Sequence, residues 1–250
     1  MKTQDYLDRI NFSSDNISPT LENLKQLQKQ HLLTVPFENL DIHWGRPINL
    51  DLHSFYKKVV EKRRGGFCYE LNGLFAQLLL SLGFKSRIIS ARVSNGHGGF
   101  GKEFDHLAIL TSIEGNDYLT DVGFGDFIAE PLKFVLDFQQ KDKNGIYLIR
   151  KFDNEYFEVV KKDGKSRVSE YIFKNLTRDL DEFAGMCDFH QSPESHFAKG
   201  KMCSRMIADG RITLTDKKFI INSDGNKNEI EVRTDDEFMD VLKREFGIER

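Results

Sequence analysis

The sequence predicts an α+β protein in which helices come first, an antiparallel β region follows, and a small α/β segment ends the chain. Three observations carry this. Up to about residue 84, apolar residues recur at helical spacing, most clearly Leu71, Leu74, Phe75, Leu78, Leu79 and Leu82. After Gly83 the period shortens to alternation, in short runs separated by Gly, Asn and Asp turns. Near the C-terminus, four short runs lead into one amphipathic helix that carries its own cap. The chain has 250 residues, enough for one or two domains.

Taken in order, Tyr6, Leu7 and Ile10 mark a short first helix. Ser18-Pro19 reads as the start of a second, with Ser18 as cap and Pro19 at the first helical position, continued by Leu21, Leu24 and Leu27. Pro36 breaks that pattern. Asp51 is expected to cap a helix through Phe55, Val59 and Val60, which ends at Arg63-Arg64-Gly65. The next helix starts on Cys68 and stops at Gly83.

Strands are then expected at 87–93, 104–113 and 117–122. Glu114-Gly115-Asn116-Asp117 forms the hairpin turn between the last two. Further strands are expected at 146–152, 155–161 and 166–173, the pattern of an antiparallel sheet or barrel. Residues 177–190 read as helix and 191–195 as a connector. Short strands near 204–208, 211–215, 218–222 and 228–232 precede the last helix, capped by Thr234, with Phe238, Val241, Leu242 and Phe246 on its apolar face. The expected division is 1–84, 85–190 and 191–250.

Charge and cysteine content narrow the functional classes. Net charge is −3 with both signs interspersed, so neither nucleic acid nor a membrane surface is an expected partner. Three cysteines with no Cys-x-x-Cys pair point away from a disulfide framework and toward a reducing cytoplasm. Met1 to Tyr6 holds no apolar signal region, and no run reaches membrane-spanning length. A cytoplasmic protein is expected.

Chemistry centres on Arg64-Gly65-Gly66-Phe67-Cys68-Tyr69-Glu70-Leu71-Asn72. A thiol in the first turn of a helix lies where free N–H groups converge and the macrodipole is positive, which favours thiolate. The alternative is that Cys68 is a small hydrophobe in the core. A cysteine nucleophile needs a base, and the base an orienting group. His106 stands in an apolar strand, where a core histidine is the competing reading. Asp121 stands in the next strand, where a buried carboxylate must be paired. The turn at 114–117 brings the two strands side by side, so Cys68, His106 and Asp121 form a candidate triad. Gly123-Phe124-Gly125 offers close backbone approach and an aromatic face, or simply a strand-ending turn. Cys187, His190, His196 and Cys203 match no zinc-site spacing, so no metal is expected. The glycine-rich stretch Gly96–Gly101 lacks the ending of a phosphate loop and precedes a strand.

With these residues assembled, the chain resembles the arylamine N-acetyltransferase family. The resemblance rests on His31-Leu32 with Val35-Pro36-Phe37-Glu38-Asn39-Leu40, on Arg64 to Asn72, on His106-Leu107, on Asp121 to Gly125, and on Ser192-Pro193-Glu194-Ser195-His196-Phe197. It implies an N-terminal helical bundle with the nucleophile, a central antiparallel β-barrel with the histidine and aspartate, and a C-terminal α/β lid around a cysteine-protease-like core. It implies Cys68, His106 and Asp121 as the catalytic triad, and Phe37, Val93 and Phe124 as walls of the amine pocket. Gly125 would lie toward the coenzyme end. Glu38 and Arg64 resemble the family's structural ion pair. The implied reaction is ping-pong transfer from acetyl-coenzyme A, through an acetyl-cysteine, to an arylamine or hydrazine, without a metal. Three alternatives stay open: an amide synthase of the same fold using another acyl thioester, a transglutaminase-like or papain-like cysteine hydrolase, and a non-enzymatic binding protein with an inherited pocket.

Overall fold

The computed structural model describes residues 1–13, 17–164 and 166–250. The N-terminal part is helical: α1 (Thr3–Arg9), α2 (Leu21–Thr34), the two-residue strand β1 (Phe37–Glu38), α3 (Leu40–His43), α4 (Leu52–Tyr56) and α5 (Cys68–Ser81). The cap of α2 is Thr20, not Ser18: its hydroxyl accepts from the Asn23 N–H at 3.3 Å, the reach that defines a capping position. Ser18 contributes its carbonyl to the Asn23 amide instead. Asp51 caps α4 as expected, accepting from the Ser54 N–H at 2.8 Å. Helix α4 runs directly into a π-helical turn, Lys57–Glu61, which buries Lys58 together with Val59 and Val60.

The central part is one antiparallel sheet. Its strands are β2 (Lys85–Val93), β3 (His106–Ile113), β4 (Asn116–Thr120), β5 (Leu132–Lys133), β6 (Gln140–Asp142), β7 (Gly145–Lys151), β8 (Tyr156–Asp163) and β9 (Ser166–Lys174). Their order is β5-β4-β3-β2-β9-β8-β7-β6, a nearly closed barrel. The short strands β5 and β6 lie in a stretch for which the sequence predicts no element; two or three residues are too few to show a period. The β3–β4 hairpin turns at Glu114 and Gly115, both at positive φ. Ile89, Leu110, Leu119, Ile149, Val159, Tyr171 and Phe173 fill the barrel interior.

Beyond β9 come α6 (Ala184–Gln191), β10 (Met202–Ile207), β11 (Gly210–Thr215), β12 (Lys218–Ser223), β13 (Asn226–Glu231) and α7 (Asp235–Phe246). The hydroxyl of Thr234 caps α7, and Phe238, Leu242 and Phe246 bury against Ile212, Leu214 and Phe219. This second sheet reaches back across the chain, because β10 pairs with β1, Phe37 opposite Ser204. A separate apolar cluster lies where the helical part, the barrel and α6 meet; it holds Ile48, Phe67, Cys68, Tyr69, Leu107, Phe183 and Cys187. The start of α5 is therefore held from three sides. No helix among the described residues is long and apolar enough to cross a membrane.

Candidate active site

Cys68 is the first residue of α5, with Phe67 as cap residue. The cap is made by Glu70, whose carboxylate accepts from the Phe67 N–H at 2.8 Å. That carboxylate also accepts from Lys58 Nζ at 2.8 Å. Lys58 in turn meets Asp41 at 2.8 Å, and Arg64 bonds Glu38 and Asp41 at 2.5 Å each. The expected Glu38–Arg64 pair is thus part of a five-membered buried network that ends on the cap of the cysteine helix. Burial raises the Glu70 carboxyl even with Lys58 and the Phe67 N–H against it. Nothing in the spacing marks Lys58, Asp41 or Glu70: Lys58 stands beside Lys57 and within a turn of Glu61 and Lys62, as a surface lysine would.

His106 opens β3 and Asp121 follows β4 by one residue. The observed register pairs Ile109 with Thr120, so continuing it sets Asp121 opposite Ala108, on the diagonal from His106 and on the same face. The imidazole Nε2 and Asp121 Oδ2 are 2.7 Å apart. Nε2–H donating to the carboxylate leaves Nδ1 as the nitrogen available to a thiol. Three more donors hold the carboxylate: the Gly123 N–H at 2.9 Å and Asn72 Nδ2 at 2.8 Å on Oδ1, and the Tyr171 hydroxyl at 3.3 Å on Oδ2. Asn72 also donates to the Leu107 carbonyl at 2.6 Å and accepts from the Val122 N–H at 2.8 Å. It stands four residues after Cys68, on the same helix face. One side chain therefore ties the cysteine helix to both strands. A buried asparagine within the leucine stripe was its sequence signal.

Burial pushes the Cys68 thiol well above its ordinary value; the Asp121 and Asp105 carboxylates add to this, and the Leu107 N–H opposes it. This corrects the expectation that the helix start would depress it. A helix terminus contributes about 0.3–1 kcal/mol to a nearby charge, and Cys68 is only 4% exposed, so desolvation dominates. A solitary thiolate is disfavoured here. Handing the proton to His106 is different, because it creates an attracting pair instead of a lone buried charge.

Cys68 and His106 line one cleft of about 890 Å³, with Asp121 buried behind His106. Phe37, Val93, Phe124 and Gly125 line the same cleft, so the structure brings together every residue expected for binding. The volume is that of a pocket for a small molecule. Phe124 sets its ring edge-on to His106 at 5.1 Å and to Tyr171 at 5.2 Å. The lid side adds His196, Phe197, Ser204, Arg211 and Thr213. Cys203 lies apart, in the apolar cluster under α7. Among the described residues no group of three or more His, Cys, Asp or Glu is gathered to hold a metal ion.

Gly123 lies against the backbone of Cys68. A Cβ there would come within 2.9 Å of Cys68 Cα and 3.0 Å of its carbonyl oxygen. Neither atom can move without moving the start of α5. Gly123→Ala should fold but slow the chemistry of the Cys68 thiol about 100-fold, the penalty of misplacing a reacting group by about 1 Å. A single-turnover rate beside a melting curve measures this, and a wild-type rate would show that the close approach is dispensable.

The chain matches the model of a family described as N-acetyltransferase over residues 20–249. It is 30% identical to the pineal gland isozyme NAT-3 of arylamine N-acetyltransferase from Gallus gallus, over 99% of this chain and 94% of that protein. The structure superposes on the arylamine N-acetyltransferase of Salmonella typhimurium with a TM-score of 0.91 at 28% identity, covering 98% of this chain and 90% of the other. On the Mycobacterium marinum enzyme, solved in complex with CoA, the TM-score is 0.90 at 29% identity, covering 99% and 93%. Matched along nearly its whole length in sequence and in fold, the chain belongs to the arylamine N-acetyltransferase family.

Proposed function

We infer that the protein transfers an acetyl group from acetyl-coenzyme A to the nitrogen of arylamines or arylhydrazines, with Cys68 carrying the acetyl group between two half-reactions. The observation that supports this most is the His106–Asp121 pair at 2.7 Å, opening onto the same cleft as a cysteine at a helix start.

In the first half-reaction, His106 Nδ1 takes the Cys68 proton and the sulfur attacks the thioester carbonyl. The Cys68 N–H, at the first position of α5, has no acceptor within its helix and is available to the developing oxyanion. The carbonyl re-forms, the carbon–sulfur bond to coenzyme A breaks, and the departing sulfur takes the proton from His106. In the second half-reaction, the amine nitrogen attacks the acetyl-cysteine and His106 receives its proton. Cys68 leaves as thiolate and recovers the proton, releasing the amide. Asp121 Oδ2 accepts from Nε2–H throughout and favours the imidazolium each time it forms. Phe37, Val93 and Phe124 hold the aromatic ring. Gly125 borders the coenzyme end.

The test is intact mass after mixing with acetyl-coenzyme A and no amine. One added acetyl group is expected, absent in Cys68→Ser and discharged by an arylamine. No acyl-enzyme under single turnover would sink the reading. Faster loading from long-chain or carrier-bound thioesters would favour an amide synthase.

A further inference from the structure

Asp105, next to His106 in sequence, exchanges no proton in the reaction above, yet it lines the same cleft. The glycine-rich loop before β3 is built around its carboxylate. Oδ2 accepts from the Val93 N–H at 3.2 Å. The Gly101 N–H closes the loop onto the Val93 carbonyl at 2.8 Å. A Cβ on Gly101 would fall 2.1 Å from Oδ2, so a side chain there and this carboxylate are mutually exclusive. Phe104, at φ 66°, is anchored through its N–H to the Ser90 hydroxyl at 2.8 Å and turns the chain into Asp105. A glycine stretch that matched no phosphate loop thus has a defined job: it presents an acid beside Val93.

Among the described residues no lysine or arginine forms an ion pair with this carboxylate. Its ion-pair partner there is His190, whose Nε2 is 3.5 Å from Oδ1 and 3.1 Å from the Asp105 carbonyl. Burial lowers the His190 imidazole, and burial likewise lowers His196 across the cleft, so both environments disfavour the imidazolium that would balance the carboxylate. The other charged side chains of the cleft, Arg211 and Asp126, lie 3.6 Å apart and offset each other.

We propose that Asp105 is a specificity-determining residue for the acceptor, favouring arylamines that carry a second, positively charged group over those that carry a carboxylate. This rests on the acetyltransferase reading and on Val93 marking the amine end of the cleft. A cationic substituent would pair with Asp105 while the aryl nitrogen faces the acetyl-cysteine; a carboxylate there would meet like charge in a partly desolvated wall.

The test compares 4-aminobenzamidine with 4-aminobenzoate in the wild type and in Asp105→Asn. Asparagine keeps the shape and the acceptor for the Val93 N–H, so the loop is preserved, which a melting curve checks. In a ping-pong reaction kcat/KM for the acceptor reports the second half-reaction alone. Both acceptors meet the same acyl-enzyme, so their intrinsic nucleophilicities and any change in thioester reactivity cancel in the ratio of ratios. The cationic-over-anionic preference should fall about tenfold or more in Asp105→Asn, as expected for a charge pair at effective dielectric near 20, with the change mainly in KM, and should return in Asp105→Glu. An unchanged ratio with normal acyl-enzyme formation overturns the proposal alone. Failure of wild-type protein to form acyl-enzyme overturns it together with the acetyltransferase reading. A loss shared equally by both acceptors makes Asp105 merely structural and overturns the specificity role.

Discussion

Asp121→Asn should lower the rate of Cys68 acetylation about ten-thousandfold, the loss seen when an orienting carboxylate is made an amide, without unfolding the protein. The reason lies in the donors around it. Oδ1 accepts from Asn72 Nδ2 and the Gly123 N–H, so an asparagine would keep its oxygen at that position. Its NH2 group would then face His106 Nε2, where Oδ2 now stands 2.7 Å away. Nε2 would have to accept instead of donate, and the imidazole proton would move to Nδ1. A histidine protonated there cannot take the proton of Cys68. The tautomer, not the position of the ring, is what the substitution changes. The Tyr171 hydroxyl, 3.3 Å from Oδ2, would lose its acceptor as well. Stopped-flow loading with acetyl-coenzyme A gives the rate, and a wild-type value would remove Asp121 from the mechanism.

The largest stability effect is expected at Arg64. Its guanidinium holds Glu38 and Asp41 in a site where Glu38 is fully buried, and it lies over the Trp44 ring at 4.8 Å. Arg64→Met keeps most of the volume but leaves Glu38 with Lys58 at 3.6 Å, and Asp41 with Lys58 and the more exposed Arg46 at 4.0 Å. The cost should be about 3–5 kcal/mol, the range for stranding one side of a buried pair. For a chain of this size that is a melting temperature lower by ~10 °C or more. Adding Glu38→Gln should recover part of the loss, because less charge is then stranded. A double variant no more stable than Arg64→Met would mean that packing on Trp44 carries the effect.

The same network sets a pH dependence. Burial alone would raise the Asp41 carboxyl, but Lys58 and Arg64 outweigh it and hold it below its ordinary range. A carboxyl depressed in the folded state adds stability above its unfolded value of about 4, lost as pH falls through the folded value. The wild type should therefore lose stability faster than Arg64→Met below about pH 4.

How much was legible beforehand follows from the range of the interactions. Helix α5, its stop before Gly83, the caps of Asp51 and Thr234, and the β3–β4 turn are local: each depends on residues within a few positions of one another. They could be read from spacing alone. The triad was legible for a related reason. A two-residue turn joins the strands of His106 and Asp121, so only one register had to be right. Thr20 displaced Ser18 as the cap of α2 because geometry, not residue type, decides which hydroxyl reaches the N–H.

What the order of residues did not carry is what distant packing decides. The pairing of β1 with β10 joins Phe37 to Ser204, and no periodicity in a two-residue strand announces it. The five-membered charge network draws on residues from 38 to 70; beyond the Glu38–Arg64 pair, its members Asp41, Lys58 and Glu70 look like ordinary surface charges until they are enclosed. Asn72 becomes a strut only when β3 and β4 lie against α5. The thiol is the sharpest case. Its position at a helix start is written locally and points toward thiolate. Enclosure by Ile48, Leu107, Phe183 and Cys187 is tertiary and reverses the sign, because removing water from a charge outweighs the field of one helix end.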